Sequence, residues 1–502
     1  MIMNIVILLM IIIKKLSETT LHDHDHIVDD DDDGLDEEVD RISELPEHII
    51  HHIMEFLPIE TKDTTRISVV SKKFFSCWCS FPAMDFNFLP EDLTTLVINR
   101  STESVLKCVQ YCVNQRRLNS NTYPLKRLTF CAPVHGGWEP EMDGDTIVVD
   151  LINFAIRNQV KELALLAVDY TIQSNSWVKL SCLPEPVFSA KSITILRLHG
   201  FKLVEANSDH HQHVTFDFPL IEVFDLGNCC GITSIVLRGA KQLKEVELWY
   251  CSELDKVHID GPTTLELLNY GGEHYCEIDI TSSCKRVEVF QLSDTDITDD
   301  KWIKSSFFGI VQQLRFDSCS LPFKTRWFLK SLKALKLVGS DCKVEFDTPF
   351  LECFHYHIGS LEWAQIPLVV FPHGFEAKLD CTYLIKAFSQ SIHRFTNCRI
   401  LTLVCHSTEE LTFSRAVREV LIKHPPLHGI KHLKIELSKL HDMVKLIDSL
   451  LWYAPHPNTI SIINVNHPGG VKTIKKFENV EERTRLQAYF SATYMISPVS
   501  ED

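Results

Sequence analysis

The sequence lacks the short motifs that carry common enzyme chemistry. There is no Gly-x-Ser-x-Gly elbow, no Gly-x-x-x-x-Gly-Lys phosphate loop, no Gly-x-Gly-x-x-Gly turn and no His-Glu-x-x-His pair. Each of these would seat a nucleophile, a phosphate or a metal where a strand meets a helix. Without them the chain reads as non-catalytic, with no cofactor and no metal. Clusters such as His22-Asp23-His24-Asp25-His26 and His210-His211-Gln212-His213 fall in polar stretches and read as solvated segments rather than ligand sets. No Cys-x-x-Cys pair occurs among the 17 cysteines, and Cys77-Trp78-Cys79 alone makes no zinc site. A basic surplus is missing as well, since the 502 residues carry a formal charge of −17. Eleven acidic residues and no Lys or Arg lie between Asp23 and Asp40, and setting those aside leaves −6. Nucleic-acid binding needs a cationic footprint, so no nucleic-acid partner is expected. The apolar run Met1–Ile13, ahead of Lys14 and Lys15, falls short of the ~20 residues that span a bilayer. It also lacks the positive n-region and small-residue cleavage site of a secretory signal. It reads as a marginal anchor, an amphiphilic appendage or sequence upstream of the natural start, and membrane anchoring is not expected.

What the chain has is ordinary globular composition, 45% hydrophobic and 23% charged, and one repeated pattern. An apolar residue, two of any kind, an apolar residue, one of any kind and an apolar residue recur as Ile193-x-x-Leu196-x-Leu198, Ile221-x-x-Phe224-x-Leu226 and Leu243-x-x-Val246-x-Leu248. The pattern continues at Leu265, Val287, Val311 and Leu332. Its middle residues, 196, 224, 246, 268, 290, 314 and 335, are 28, 22, 22, 22, 24 and 21 apart. This resembles the leucine-rich repeat, in which each unit of roughly 20–29 residues adds one short strand to a stacked solenoid. Cys229, Cys251 and Cys319 stand three residues past the last apolar residue of their strands, at the Asn/Cys position of that consensus. They read as buried, reduced thiols, which places the protein in the cytoplasm or nucleus.

Earlier repeats are longer. Leu125-x-x-Leu128-x-Phe130 and Val160-x-x-Leu163-x-Leu165 are separated by Ile147–Ile156, whose apolar spacing suits a helix. Repeats near 22 residues leave room for only a strand and a short irregular return. Past residue 346 the period loosens, and Phe346–Tyr356 resembles the variant repeat of plant F-box/leucine-rich-repeat proteins. Further strands are expected at Cys398–Leu403, Ile430–Ile435 and Thr459–Val465, with an amphipathic helix over His441–Tyr453.

Order should begin near Arg41. Pro46 suits a first helical turn, and Ile49, Ile50, Ile53, Phe56 and Leu57 follow at helical spacing until Pro58. A second short helix is expected over Thr64–Val70, and Ser71 can cap a third that carries Phe74, Phe75 and Trp78. The run Leu45-Pro46-Glu47, the isoleucine helix, the Phe56-Leu57-Pro58 break and Ser71-Lys72-Lys73-Phe74 stand in the order and at the spacing of an F-box, which this stretch resembles. The family often has Arg-Trp after Ser-Lys, where this chain has Lys73-Phe74. The resemblance implies a Skp-type adaptor as partner, with a cullin scaffold behind it. The adaptor contacts it carries over are Leu45, Pro46, Ile49, Ile53, Val70 and Ser71. Alternatively, Ile49, Ile53 and Val70 form only the core of a very small domain.

The expected fold is thus α/β: a small N-terminal three-helix F-box, then a leucine-rich-repeat solenoid with parallel strands on its concave face. Its parts are an apolar N-terminus and acidic disordered tail (1–40), the F-box (41–82), a linker or first capping repeat (83–119), the solenoid (120–465) and a polar C-terminal tail (466–502). Such a solenoid offers a surface rather than a catalytic pocket. Side chains alternate across a strand, so the residue between its last two apolar positions points outward. Those residues include Arg197, Asp225, Glu247, Arg315 and Lys336, with Trp249 one row over, and they are the candidate contacts for an unknown target protein. Trp249 either awaits a partner or packs on Tyr250 or a neighbouring repeat. The expected function is target recognition within a Skp–cullin–F-box ubiquitin ligase. A small-molecule receptor and a membrane-tethered scaffold without ligase activity are the alternatives.

Overall fold

The computed structural model describes residues 45–56, 71–87, 102–118, 124–133, 144–168, 182–203, 213–251, 253–297, 301–302, 304–321, 325–357, 368–380, 392–412, 427, 429–454, 457–465 and 471–474. The chain divides into two compact units, Met1–Glu205 and Ala206–Asp502.

Among the described residues, the first helix of the first unit is α1, Glu47–Phe56, directly after Pro46. The Pro46 carbonyl accepts from the amides of Ile49 (2.9 Å) and Ile50 (3.2 Å), closing the first turn. The expected helix over Thr64–Val70 lies outside the described residues. Helix α2 follows over Lys72–Ser80, and the Ser71 hydroxyl caps it by accepting from the Phe74 amide. Ile50, Ile53 and Met54 of α1 are buried, as are Phe74, Cys77 and Trp78 of α2. The segment 83–119 supplies strand β1, Ala83–Asn87, and helix α3, Thr102–Leu118. Strand β2 (Arg127–Pro133), helix α4 (Gly144–Arg157), strand β3 (Glu162–Val168) and strand β4 (Ile195–His199) complete the ladder. β1, β2, β3 and β4 pair in that order, all parallel.

The second unit stacks shorter repeats. Its ladder consists of β5 (Val223–Gly227), β6 (Glu245–Trp249), β7 (Thr264–Gly271), β8 (Arg286–Ser293), β9 (Val311–Asp317) and β10 (Ala334–Val338). It continues through β11 (Cys353–His357), β12 (Glu376–Asp380), β13 (Ile400–Ser407), β14 (His432–Lys439) and β15 (Thr459–Asn464). Each pairs in parallel with the next. A further strand, β16 (Val471–Ile474), runs antiparallel to β15, inside a stretch that the sequence presents as a polar tail. The short repeats also hold more regular structure than their length suggests. Their returns form a second parallel sheet from His213–Asp217, Ser234–Arg238, Lys256–Ile259 and Glu277–Ile280. Alternating apolar residues such as Val257 and Ile259 face the core there, so each return buries a side chain while satisfying its backbone. Helix α5 spans Met443–Tyr453, capped by Asp442.

A left-handed residue follows strand after strand. Asn228, Tyr250, Asp294 and Ser318 have φ between 49° and 54°, and Gly339 has 57°. Their amides donate to the carbonyls of Trp249, Gly271, Asp317, Val338 and His357, which extends the ladder one rung into the turn. The buried cysteines seal the same corner, where Cys319 Sγ donates to the carbonyls of Leu292 (3.2 Å) and Asp317 (3.3 Å). The cysteines among the described residues form no disulfide. Between the sheets, Phe290 meets the rings of Trp302, Phe307 and Phe308 in an aromatic core.

Candidate functional site

Two surfaces answer to the sequence. The first is the α1 end of the first unit. His51 Nε2 lies 2.9 Å from the Cys77 carbonyl, and Ser80 Oγ donates to Glu47 Oε1 at 2.5 Å, so polar bonds lock α1 to α2. Arg116 of α3, itself buried, donates through Nη2 to the carbonyls of Trp78 and Ala83, each at 3.1 Å. Burial lowers its pKa to about 10, which leaves it cationic at neutral pH. With that framework fixed, Pro46 is exposed and Leu45 and Ile49 are half-buried. Ile53, one turn further along the same helix, is 3% exposed. Ser71 is half-buried and spends its hydroxyl on the α2 cap; Val70 lies outside the described residues. Leu45, Pro46 and Ile49 therefore keep apolar surface exposed, while Ile53 serves the core.

The second surface is the outward face of the ladder in the second unit. Register aligns Asp225, Glu247, Asn269, Gln291, Arg315 and Lys336 as successive cross-strand partners. The same row runs on through His355, Lys378, Thr402 and Lys434. Three of these four were within reach of sequence, because they sit between the last apolar pairs of Phe354-x-Tyr356, Leu401-x-Leu403 and Leu433-x-Ile435. Lys378 was not, since Ala377 is too small to mark a strand. Arg197 belongs to the first unit, where it stands opposite Ala164 on β3.

The acidic end of the row is satisfied internally. Asp225 is buried, and Glu247 Oε2 accepts from Trp249 Nε1 (3.2 Å) and Asn269 Nδ2 (3.3 Å). Trp249 stands between Gly227 and Gly271 in register, and a Cβ on Gly271 would come within 2.5 Å of its Cε3. The indole lies over a neighbouring strand that glycine keeps open, so packing within the repeats accounts for it.

The basic end differs. Arg315, Lys336 and Lys434 form no ion pair among the described residues, whereas Lys378 meets Glu436 at 2.7 Å and His357 meets Asp380 at 2.6 Å. Burial, and then the charges of Lys336, Lys378 and His357, push the His355 imidazole down to about 4 against a smaller opposing pull from Asp380. A shallow cavity of about 310 Å³ opens over this stretch, lined by Arg315, Lys336, His355, Lys378, Thr402 and Lys434 among others.

Residues 42–83 match the family model for the F-box domain. The chain carries an F-box followed by a leucine-rich-repeat-like solenoid. A putative F-box/LRR-repeat protein of Arabidopsis thaliana is 23% identical over 287 residues, covering 55% of this chain and 57% of the relative. A putative F-box/FBD/LRR-repeat protein of the same plant is 24% identical over 250 residues, 44% of this chain and 45% of the relative. The Arabidopsis F-box/LRR-repeat protein 25 is 44% identical over 50 residues, 10% of this chain and 19% of the relative. The chain thus spans about half the length of the first two of these curated relatives. Among the described residues no group of three or more His, Cys, Asp or Glu is placed to hold a metal ion. No helix among them is long and apolar enough to cross a membrane, and Met1–Ile13 lies outside the described residues.

Proposed function

We propose that this protein is the target-recognition subunit of a Skp–cullin–F-box ubiquitin ligase. Its F-box holds the Skp-type adaptor, and through it the cullin scaffold, while the solenoid holds a target protein. The observation that carries this reading is the F-box match over 42–83 on the same chain as the parallel ladder. The exposed apolar surface of Leu45, Pro46 and Ile49 supports it, because apolar side chains left uncovered on so small a helical unit gain by docking. The chain itself supplies no bond-making group in this scheme. Its contribution is positional: tethering a target near the loaded ubiquitin enzyme raises the effective concentration of a target lysine. The work would take place in the cytoplasm or nucleus.

Capture of the full chain by a purified Skp-type adaptor tests this. Leu45→Ala with Pro46→Ala should weaken capture about tenfold or more while leaving the melting curve in place. Equal capture by wild type and variant would count against the proposal.

A further inference from the structure

The basic end of the strand row has a feature that its acidic end lacks. Glu247 is engaged by its neighbours, while Arg315, Lys336 and Lys434 stand without a carboxylate among the described residues. They are held on a rigid parallel sheet, and between them His355 is half-buried beside Lys336 and Lys378. Like charges fixed this closely repel one another, and an incoming anion relieves that repulsion as well as forming charge-assisted hydrogen bonds.

Resting on the reading of the solenoid as a target-binding surface, we infer that this row takes an acidic, extended peptide segment of the target across strands β9–β14. The dimensions agree. Five strand-to-strand steps at ~4.8 Å make the row roughly 24 Å long, the span of about seven extended residues. The composition beside the row selects among anions. On one flank stand Ala334 and Ile400, half-buried and able to receive apolar side chains next to the acidic ones, and Glu376 in the same row is already paired with Arg399 at 2.6 Å. The other flank carries Asp317, Asp380 and Glu436, of which Asp380 already faces His357 at 2.6 Å and Glu436 faces Lys378 at 2.7 Å. Nucleic acid needs a broad cationic footprint, and here the cations form a single file.

The test is fluorescence anisotropy on the full-length chain with labelled octa-glutamate, octa-lysine and oligodeoxythymidylate. Octa-glutamate should bind with an affinity that falls as salt is added, and octa-lysine should not bind. Lys336→Gln with Lys434→Gln should weaken octa-glutamate binding about tenfold or more. Lys434→Glu alone should weaken it severalfold, and Lys333→Gln, outside the row, should leave it unchanged. The inference is overturned if octa-glutamate does not bind, or if the double variant binds it as wild type does. It is also overturned if oligodeoxythymidylate binds more tightly and displaces octa-glutamate. Adaptor capture by the same preparation separates the two proposals. Captured adaptor without peptide binding removes this inference alone; bound peptide without adaptor capture removes the ligase reading and leaves the row as an acidic-peptide site.

Discussion

Trp249 shows how a single side chain divides between partner and scaffold. Its indole occupies the space above Gly271, so Gly271→Ala forces the ring aside and should cost roughly 1–3 kcal/mol in denaturant titrations. Most of that loss should disappear when Trp249→Ala is added, since the two residues are in contact. If the two costs simply add, the indole does not lie where it is described. His355 makes a second residue-scale prediction. In the unfolded chain it takes up a proton near its ordinary value of 6.5, and in the folded protein only near 4. The unfolded state therefore binds the extra proton between those values. The stability that His355 contributes is fully present above that window and is lost as pH falls from about 6.5 to about 4. His355→Gln should flatten this acid-side slope in melts recorded across the same range, with Lys336, Lys378, His357 and Asp380 unchanged. The cysteines follow burial too: Cys319, Cys342 and Cys398 have thiols pushed up to about 12, whereas Cys353 is exposed. Alkylation of the native protein should modify Cys353 well before these three, and the order should vanish in denaturant.

At the level of elements, Arg116 ties helix α3 to the end of α2 and the start of β1 through two backbone carbonyls. Arg116→Met keeps much of the apolar stem but removes both bonds, leaving the Trp78 carbonyl only its 3.3 Å bond from the Phe81 amide. It should destabilise the first unit by about 2–4 kcal/mol, read from chemical denaturation and from loss of amide protection in α2. Lys should rescue only in part, since one ammonium lacks the planar fork. Element identity was mostly legible in the sequence. The spacing of Ile147–Ile156 and Met443–Leu451 marked helices α4 and α5, and the apolar triplets marked β2, β3 and most of the second ladder. Strand β12 was hidden because Ala377 stands where a large apolar residue is usual. The return sheet was hidden because runs such as Lys256–Ile259 are too short for a period to emerge.

Across the whole molecule, stability in a repeat stack is carried by nearest neighbours rather than by one central core. Phe290 is fully buried against Trp302, Phe307 and Phe308, and Phe290→Ala should cost about 3–5 kcal/mol. Hydrogen exchange should then show lost protection concentrated in β7–β9, with β13–β15 little changed. A uniform loss across the second unit would mean that it unfolds as one cooperative block instead. The two candidate surfaces fall in separate compact units, one bearing the F-box surface and the other the basic row, so variants in one should leave binding at the other intact.

The sequence alone determined that this chain repeats, where most of its strands lie, which side chains point away from the core and which stretch resembles an F-box. Those properties follow from local periodicity, because a strand of alternating apolar residues has only one face to bury. Tertiary structure decided what periodicity cannot express. It buried Ile53 while leaving apolar surface of Leu45, Pro46 and Ile49 exposed, and laid Trp249 over a glycine of the next strand. It also brought Arg315, Lys336, His355, Lys378 and Lys434 into one file from positions scattered over more than a hundred residues of chain. Which groups meet depends on the register between repeats, a quantity fixed only when the strands pair.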